Sequence, residues 1–274
     1  MTDNTADCAR RGDRAISYEL AGDGPARLIL VAGTGLPGAY WTLAQTAAFA
    51  EWATCLLVDN AGTGRSDPLP DGDWTPDAMA ADVVAVLDEV GWPDAHIAGH
   101  SLGSAIALAL AASEPERVAS LSLHSTWAAT SAAPHIRAWL QARQATAAAN
   151  NPDLWMRDAF FLVSPQHFAR HGFTSGALGE VAELIRRMGT GSHMGQYDAG
   201  LAHDVTDELG SLDMPTLVTV GESDFVTLPA YGRAVAEAVA GAEFVELPRA
   251  GHMASLEQSA AFNGIQRRFI ERAS

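Results

Sequence analysis

The chain has 274 residues, 48% hydrophobic and 18% charged, which is enough apolar side chain for a large core in one or two domains and excludes a disordered or fibrous protein. Its 33 acidic and 17 basic residues leave a net charge of −16, a field that repels phosphate backbones and anionic bilayers, so neither nucleic acid nor a membrane is an expected partner. Every basic residue is arginine, which excludes lysine Schiff-base chemistry and the phosphate-binding lysine loop.

The first fourteen residues carry Asp3, Asp7, Arg10, Arg11, Asp13 and Arg14 and so lack the apolar centre of a signal peptide. The next expected element is an antiparallel edge strand over 13–20, where polar and apolar residues alternate. Apolar runs at 26–32, 54–58, 95–98, 118–123, 216–220 and 243–247 read as strands, several of them apolar throughout, as buried parallel strands are. Helical spacing covers 76–90, with Pro76 suited to a first turn, then 102–112, 229–240 and 254–272. Strand and helix in alternation predict an α/β fold with a mostly parallel, doubly wound sheet.

Between 127 and 210 the strand-like runs stop and helical stretches at 134–149 and 179–188 take over. This segment reads as an inserted helical cap, with 1–126 and 211–274 forming the core. Six arginines and eight acids make the cap nearly neutral, whereas the remainder carries −14. Trp127, Trp155, Met156, Phe160, Phe161 and Tyr197 make it aromatic and soft, suited to lining an apolar substrate cavity. A neutral, mainly apolar small molecule is the expected substrate, although cap arginines such as Arg137, Arg157 or Arg186 could form a local anion site.

The strongest chemical signal is Gly99-His100-Ser101-Leu102-Gly103, between an apolar strand and a helix. A serine on such a tight turn projects above the sheet, and flanking glycines remove side chains that would clash. Serine needs a base and the base an orienting acid. His252 lies between the last strand and last helix and is the expected base. In Gly221-Glu222-Ser223-Asp224-Phe225, one strand earlier, Asp224 is preferred to Glu222 because it sits deeper in the loop, completing the order serine, acid, histidine. The amide of Leu102 is one expected oxyanion donor, and that of Thr34, in Gly33-Thr34-Gly35 after an early strand, is the other. Gly33, Gly35 and Gly38 also match a dinucleotide fingerprint with Asp59 downstream, a weaker reading because it accounts for less of the chain. Cys8 and Cys55 form no metal or disulfide pattern, and His167 and His171 lack a third ligand, so no metal and no cofactor are expected. Unpaired cysteines and the absence of a leader point to the cytoplasm.

These residues resemble the α/β-hydrolase superfamily from about Ala15 to Ile270. The elbow around Ser101 is written as that family writes it, and 58–67 resembles its D-x-R-G-x-G-x-S segment, with alanine at 61. Ala32-Gly33 stands where the family usually has His-Gly, and Ser104 where glycine is frequent. The resemblance implies a serine hydrolase that cleaves an ester or lactone through an acyl-enzyme, with Ser101, His252 and Asp224 as its triad. Elimination or acyl transfer by the same triad, or a catalytically silent ligand-binding member, are the alternatives. Branches using aspartate at the elbow, or a catalytic lysine, do not match.

Overall fold

The computed structural model describes residues 7–149, 160–171 and 193–274, and among them eight strands form one sheet. In chain order these are β1 Asp7–Arg11, β2 Arg14–Ala21, β3 Ala26–Val31, β4 Ala53–Val58, β5 Ala95–His100, β6 Val118–His124, β7 Thr216–Gly221 and β8 Glu243–Leu247. Their spatial order is β1-β2-β4-β3-β5-β6-β7-β8; β2 is antiparallel to both neighbours, and the strands from β4 to β8 are parallel. Every residue of β5 and β7 is buried, which is why they read as continuous apolar runs rather than alternating ones.

The strand expected at the edge is β2, but it is covered by β1. Only Ala9 of β1 is buried, and its charged neighbours face water, a pattern that protects a sheet edge from further pairing and hides the strand among polar residues.

The helices are α1 Thr46–Phe49, α2 Pro76–Glu89, α3 Leu102–Ser113, α4 Pro134–Ala149, α5 Pro165–His171, α6 Gln196–Ala202, α7 Pro229–Ala238, α8 Ala254–Glu257 and α9 Ser259–Ala273. The helix expected over 254–272 is therefore two, because Gln258 leaves the helical region at φ −129°. The one expected over 179–188 lies outside the described residues. The Thr75 side chain caps α2 by accepting the Ala78 amide at 3.1 Å, and Pro76 follows at the first turn. Small residues let α3 lie almost wholly inside the molecule, so close to β3 that a Cβ on Gly103 would stand 2.2 Å from the Val31 carbonyl oxygen.

One buried charge fastens α2 to the antiparallel edge. Asp82 accepts two hydrogen bonds from Arg14 at 2.7 and 2.8 Å and a third from Arg11 at 3.0 Å. Asp82→Ala should destabilise the protein by about 3 kcal/mol, the lower end for breaking a buried pair because both arginines keep some access to water. Urea unfolding measures this; a loss below about 1 kcal/mol would show that the network contributes little.

Candidate active site

Loops at the carboxyl ends of parallel strands are where such sheets bind ligands, since crossover connections leave a crevice there. Thr34 follows β3, Ser101 follows β5, Asp224 follows β7 and His252 follows β8. Together Thr34, Ser101, Leu102 and His252 line one cavity.

Ser101 has φ 54° and ψ −120°, a conformation that costs a residue with a side chain about 1–3 kcal/mol. The surroundings leave it no alternative. Its amide donates to the His124 carbonyl at 2.9 Å, and its own carbonyl accepts from the Ser104 amide at 2.8 Å and the Ser104 hydroxyl at 2.6 Å. Cβ atoms on Gly99 and Gly103 would lie 2.1 Å from the Gly103 carbonyl oxygen and 2.2 Å from that of Val31, so both glycines are dictated by packing. Ser104, a departure from the family pattern, ties the first turn of α3 back to the serine.

Asp224 is buried and accepts from the amides of Val226 and Thr227 at 2.9 Å each and from the Thr227 hydroxyl at 2.8 Å. Its Oδ2 lies 2.9 Å from His252 Nδ1. Burial pushes the carboxyl up, but the adjacent imidazole and the hydrogen bonds from His252 and Thr227 outweigh this and hold it below the ordinary aspartate value. An ionised carboxylate only accepts, so Nδ1 of His252 bears the hydrogen and Nε2 is left as the basic nitrogen. Glu222 is exposed and takes the Arg249 amide at 2.8 Å, bracing a turn where Arg249 has φ 58°.

Among the described residues the Thr34 and Leu102 amides have no hydrogen-bond acceptor. Two buried side chains hold the loop around Thr34. Gln196 accepts the Gly35 amide and donates to the Ala61 carbonyl, and Asn60 donates to the Ala32 carbonyl, all at 2.8 Å. The dinucleotide alternative meets a different geometry. Asp59 accepts the amides of Gly38 and Arg65, and Gly38 opens a six-residue 3-10 turn with its Cα packed on β4, where a nucleotide fold needs a long helix.

The described lining of the cavity also includes Leu36, Trp127, Ile136, Trp139, Leu140, Arg143, Leu162, Tyr197, Val226 and Met253. Trp127 and Tyr197 were expected there. Phe160 and Phe161 are not among the lining residues: Phe160 is 44% exposed, and Phe161 stacks on Phe225 instead. Trp155, Met156, Arg157 and Arg186 lie outside the described residues. Arg137 points outward to the Ser131 carbonyl, and among the described residues the arginine that reaches the cavity is Arg143. Spacing did carry a signal for it, because Ile136, Trp139, Leu140 and Arg143 follow the i, i+3, i+4, i+7 rule for one helix face. Among the described residues no three His, Cys, Asp or Glu side chains form a metal site, and no helix is long and apolar enough to cross a membrane.

A family model described as "Alpha/beta hydrolase family" matches residues 28–265. A protein of Azorhizobium caulinodans named "Putative carbamate hydrolase RutD" is 30% identical over 93% of this chain and 94% of its own. A thermophilic esterase from Thermogutta terrifontis superposes with a TM-score of 0.82 at 25% identity, covering 98% of this chain and 99% of the esterase. Est816, described as an N-acyl homoserine lactone degrading enzyme, does so with 0.80 at 25%, covering 96% and 100%. The chain belongs to the alpha/beta hydrolase family. Its similarity to enzymes named for hydrolysis supports a hydrolase.

Beneath the serine, His100 and His124 are buried and paired across β5 and β6. His100 Nε2 donates to the His252 carbonyl at 3.0 Å, joining the residue before the serine to the histidine loop. Burial, with a smaller contribution from a neighbouring histidine, pushes both rings down to about 3. In the unfolded chain each takes a proton below about pH 6.5, whereas in the fold it stays neutral, so each makes stability fall as pH drops from there towards 3. His124→Gln should reduce that slope by about 1.4 kcal/mol per pH unit between about pH 4 and 6, read from urea unfolding; an unchanged slope would contradict a buried neutral His124.

Proposed function

We propose that the protein hydrolyses a carboxylic ester or lactone of a small, mainly apolar molecule through a serine acyl-enzyme. The observation that carries this reading is Ser101, held at positive φ in a cavity it shares with His252, whose Nδ1 is engaged by buried Asp224. In the proposed cycle, Ser101 Oγ attacks the substrate carbonyl while His252 Nε2 takes the hydroxyl proton. The oxyanion accepts hydrogen bonds from the Leu102 and Thr34 amides. As the carbon–oxygen bond breaks, His252 returns the proton to the leaving alkoxide, and the acyl group stays on Ser101. Water then attacks the acyl carbon, giving its proton to His252, and Ser101 leaves with that proton as the carboxylic acid forms. We assign the core to 1–126 and 211–274 and the cap to 127–210, with Trp127 and Tyr197 on its cavity-facing side.

The relatives support acyl chemistry on small molecules: one is named an esterase and another a lactone-degrading enzyme. The name of a third makes carbamates the second substrate class, reached by the same addition to a carbonyl. Esters, lactones and carbamates assayed side by side, with product identification, separate these classes and distinguish hydrolysis from elimination.

Ser101→Ala should fold normally and lose about a million-fold in turnover. A fluorophosphonate should label the wild type at Ser101, and labelling elsewhere would overturn the assignment. Asp224→Asn should lower kcat about ten-thousand-fold by favouring the wrong tautomer of His252. Glu222→Gln, on the exposed side of the same loop, should change kcat by less than about threefold, and the reverse order would exchange the two acids.

A further inference from the structure

Thr227 stands between β7 and α7, three residues after Asp224, and lines the cavity of Ser101 and His252 although only 1% of it is exposed. Its hydroxyl donates to Asp224 Oδ2 at 2.8 Å, and His252 Nδ1 meets the same oxygen at 2.9 Å. Thr227 Oγ1 and His252 Nδ1 are themselves 3.4 Å apart, so the three atoms form a nearly equilateral triangle. The other carboxylate oxygen, Oδ1, takes the Val226 and Thr227 amides at 2.9 Å each. An ionised carboxylate only accepts, so the hydroxyl hydrogen points at Oδ2, and on that line it lies closer to Nδ1 than its own oxygen does. The positive end of the hydroxyl therefore faces both the charge on Asp224 and the ring that gains a proton. Packing alone does not call for it: valine has the same shape and brings no buried polar group that must find a partner.

Resting on the hydrolase reading above, we propose that Thr227 is a positioning residue that acts through Asp224: its hydroxyl fixes the carboxylate against His252 and draws off part of the charge that would otherwise hold a proton on the imidazole. A base held too strongly by its acid keeps the proton that it must return to the leaving group, so this hydroxyl sets how readily His252 gives that proton back. Among the described residues, the other titratable or charged groups around His252 are His100, with ring centres 4.9 Å apart, and Arg143 and Tyr197, which line the same cavity. Glu257 accepts the amide of Gly251 beside it. Burial above all pushes His100 down to about 3. None of these four is altered when Thr227 is substituted, so a difference between Thr227 variants reports the hydroxyl.

The test follows the His252 ring by nuclear magnetic resonance in the whole protein, isotope-labelled at histidine, from about pH 4 to 9. Wild type is compared with Thr227→Val, Thr227→Ser and Thr227→Ala, and His252→Gln identifies the signals. This titration requires no turnover. Alongside it, kcat/KM for p-nitrophenyl butyrate is measured over the same range. Thr227→Val should raise the midpoint of both titrations by about half a pH unit or more, roughly a threefold change in proton affinity. Thr227→Ser, which restores the hydroxyl, should return both to within about 0.2 unit of wild type. A residue that only supports the loop would lower kcat/KM by one factor at every pH and leave the midpoint where it was. Midpoints unmoved or lowered in Thr227→Val, or displaced equally in Thr227→Ser, would overturn the proposal. If Thr227→Val does not fold, Thr227→Ala and Thr227→Ser differ by the hydroxyl alone, and equal midpoints in those two overturn it. Failure of the hydrolase reading is separate: wild type that neither hydrolyses the ester nor takes a fluorophosphonate at Ser101 would refute that reading, while the resonance shift by itself still decides the role of the hydroxyl.

Discussion

The backbone conformation of Ser101 is the constraint on which the rest of the site depends. A residue at φ 54° persists only where its neighbours exclude every alternative, and here the exclusion comes from three directions. Gly103 lets α3 press on β3, Gly99 lets β5 pass under the first turn of α3, and the His124 carbonyl fixes the serine amide. Strain at one residue is thus offset by the packing of a whole helix on a parallel sheet, which explains why α3 is built from small residues and almost entirely buried. The same turn leaves the Leu102 amide at a helix start, where a donor has no partner within the helix.

The layer beneath the serine is aromatic, and its histidines are neutral. Tyr40 stacks on His100 with ring centres 5.9 Å apart, Trp41 meets both His100 and His124 edge-on, and Phe262 closes on His124 at 4.5 Å. Rings that burial keeps uncharged add stiffness without placing a positive charge beneath the serine. His100 then bonds the histidine loop directly, so the elbow and the loop that bears the proposed base are held to one another through a single side chain.

Much of this was legible in the sequence because the informative patterns are local. A glycine-flanked serine between an apolar strand and a helix predicts its own geometry, and the order of acid and histidine after successive strands predicts theirs. Asp224 could be chosen over Glu222 by loop depth, and the hydrogen bonds of the two carboxylates differ accordingly. Features set by tertiary contact were not legible. β1 reads as a charged tail because an edge strand turns only one residue inward. Phe160 and Phe161 looked like cavity residues on composition, but whether an aromatic side chain faces a cavity depends on how its segment packs. Arg143 was hidden for the opposite reason: a charged residue is normally placed on the wet face of a helix, and its periodicity had to outweigh its chemistry.

The segment between β6 and β7 is tied to the loops it overlies by buried or partly buried hydrogen bonds at two separate places. On one side Gln196 bridges the Thr34 loop and the 59–67 loop. On the other, Glu257 accepts the amides of Gly251 at 2.8 Å and Ser164 at 2.9 Å, while the Met253 amide donates to the Leu162 carbonyl at 3.0 Å. A Cβ on Gly251 would lie 2.7 Å from the Ser164 nitrogen, so the residue before His252 is a glycine because the inserted segment presses on it. The loops proposed to supply the oxyanion donor and the base therefore have their positions set partly by residues outside the sheet and its flanking helices. A change in how 160–171 or Gln196 packs would move Thr34 or His252 directly, without passing through the sheet, which makes this segment part of the proposed catalytic geometry as well as of the proposed cover.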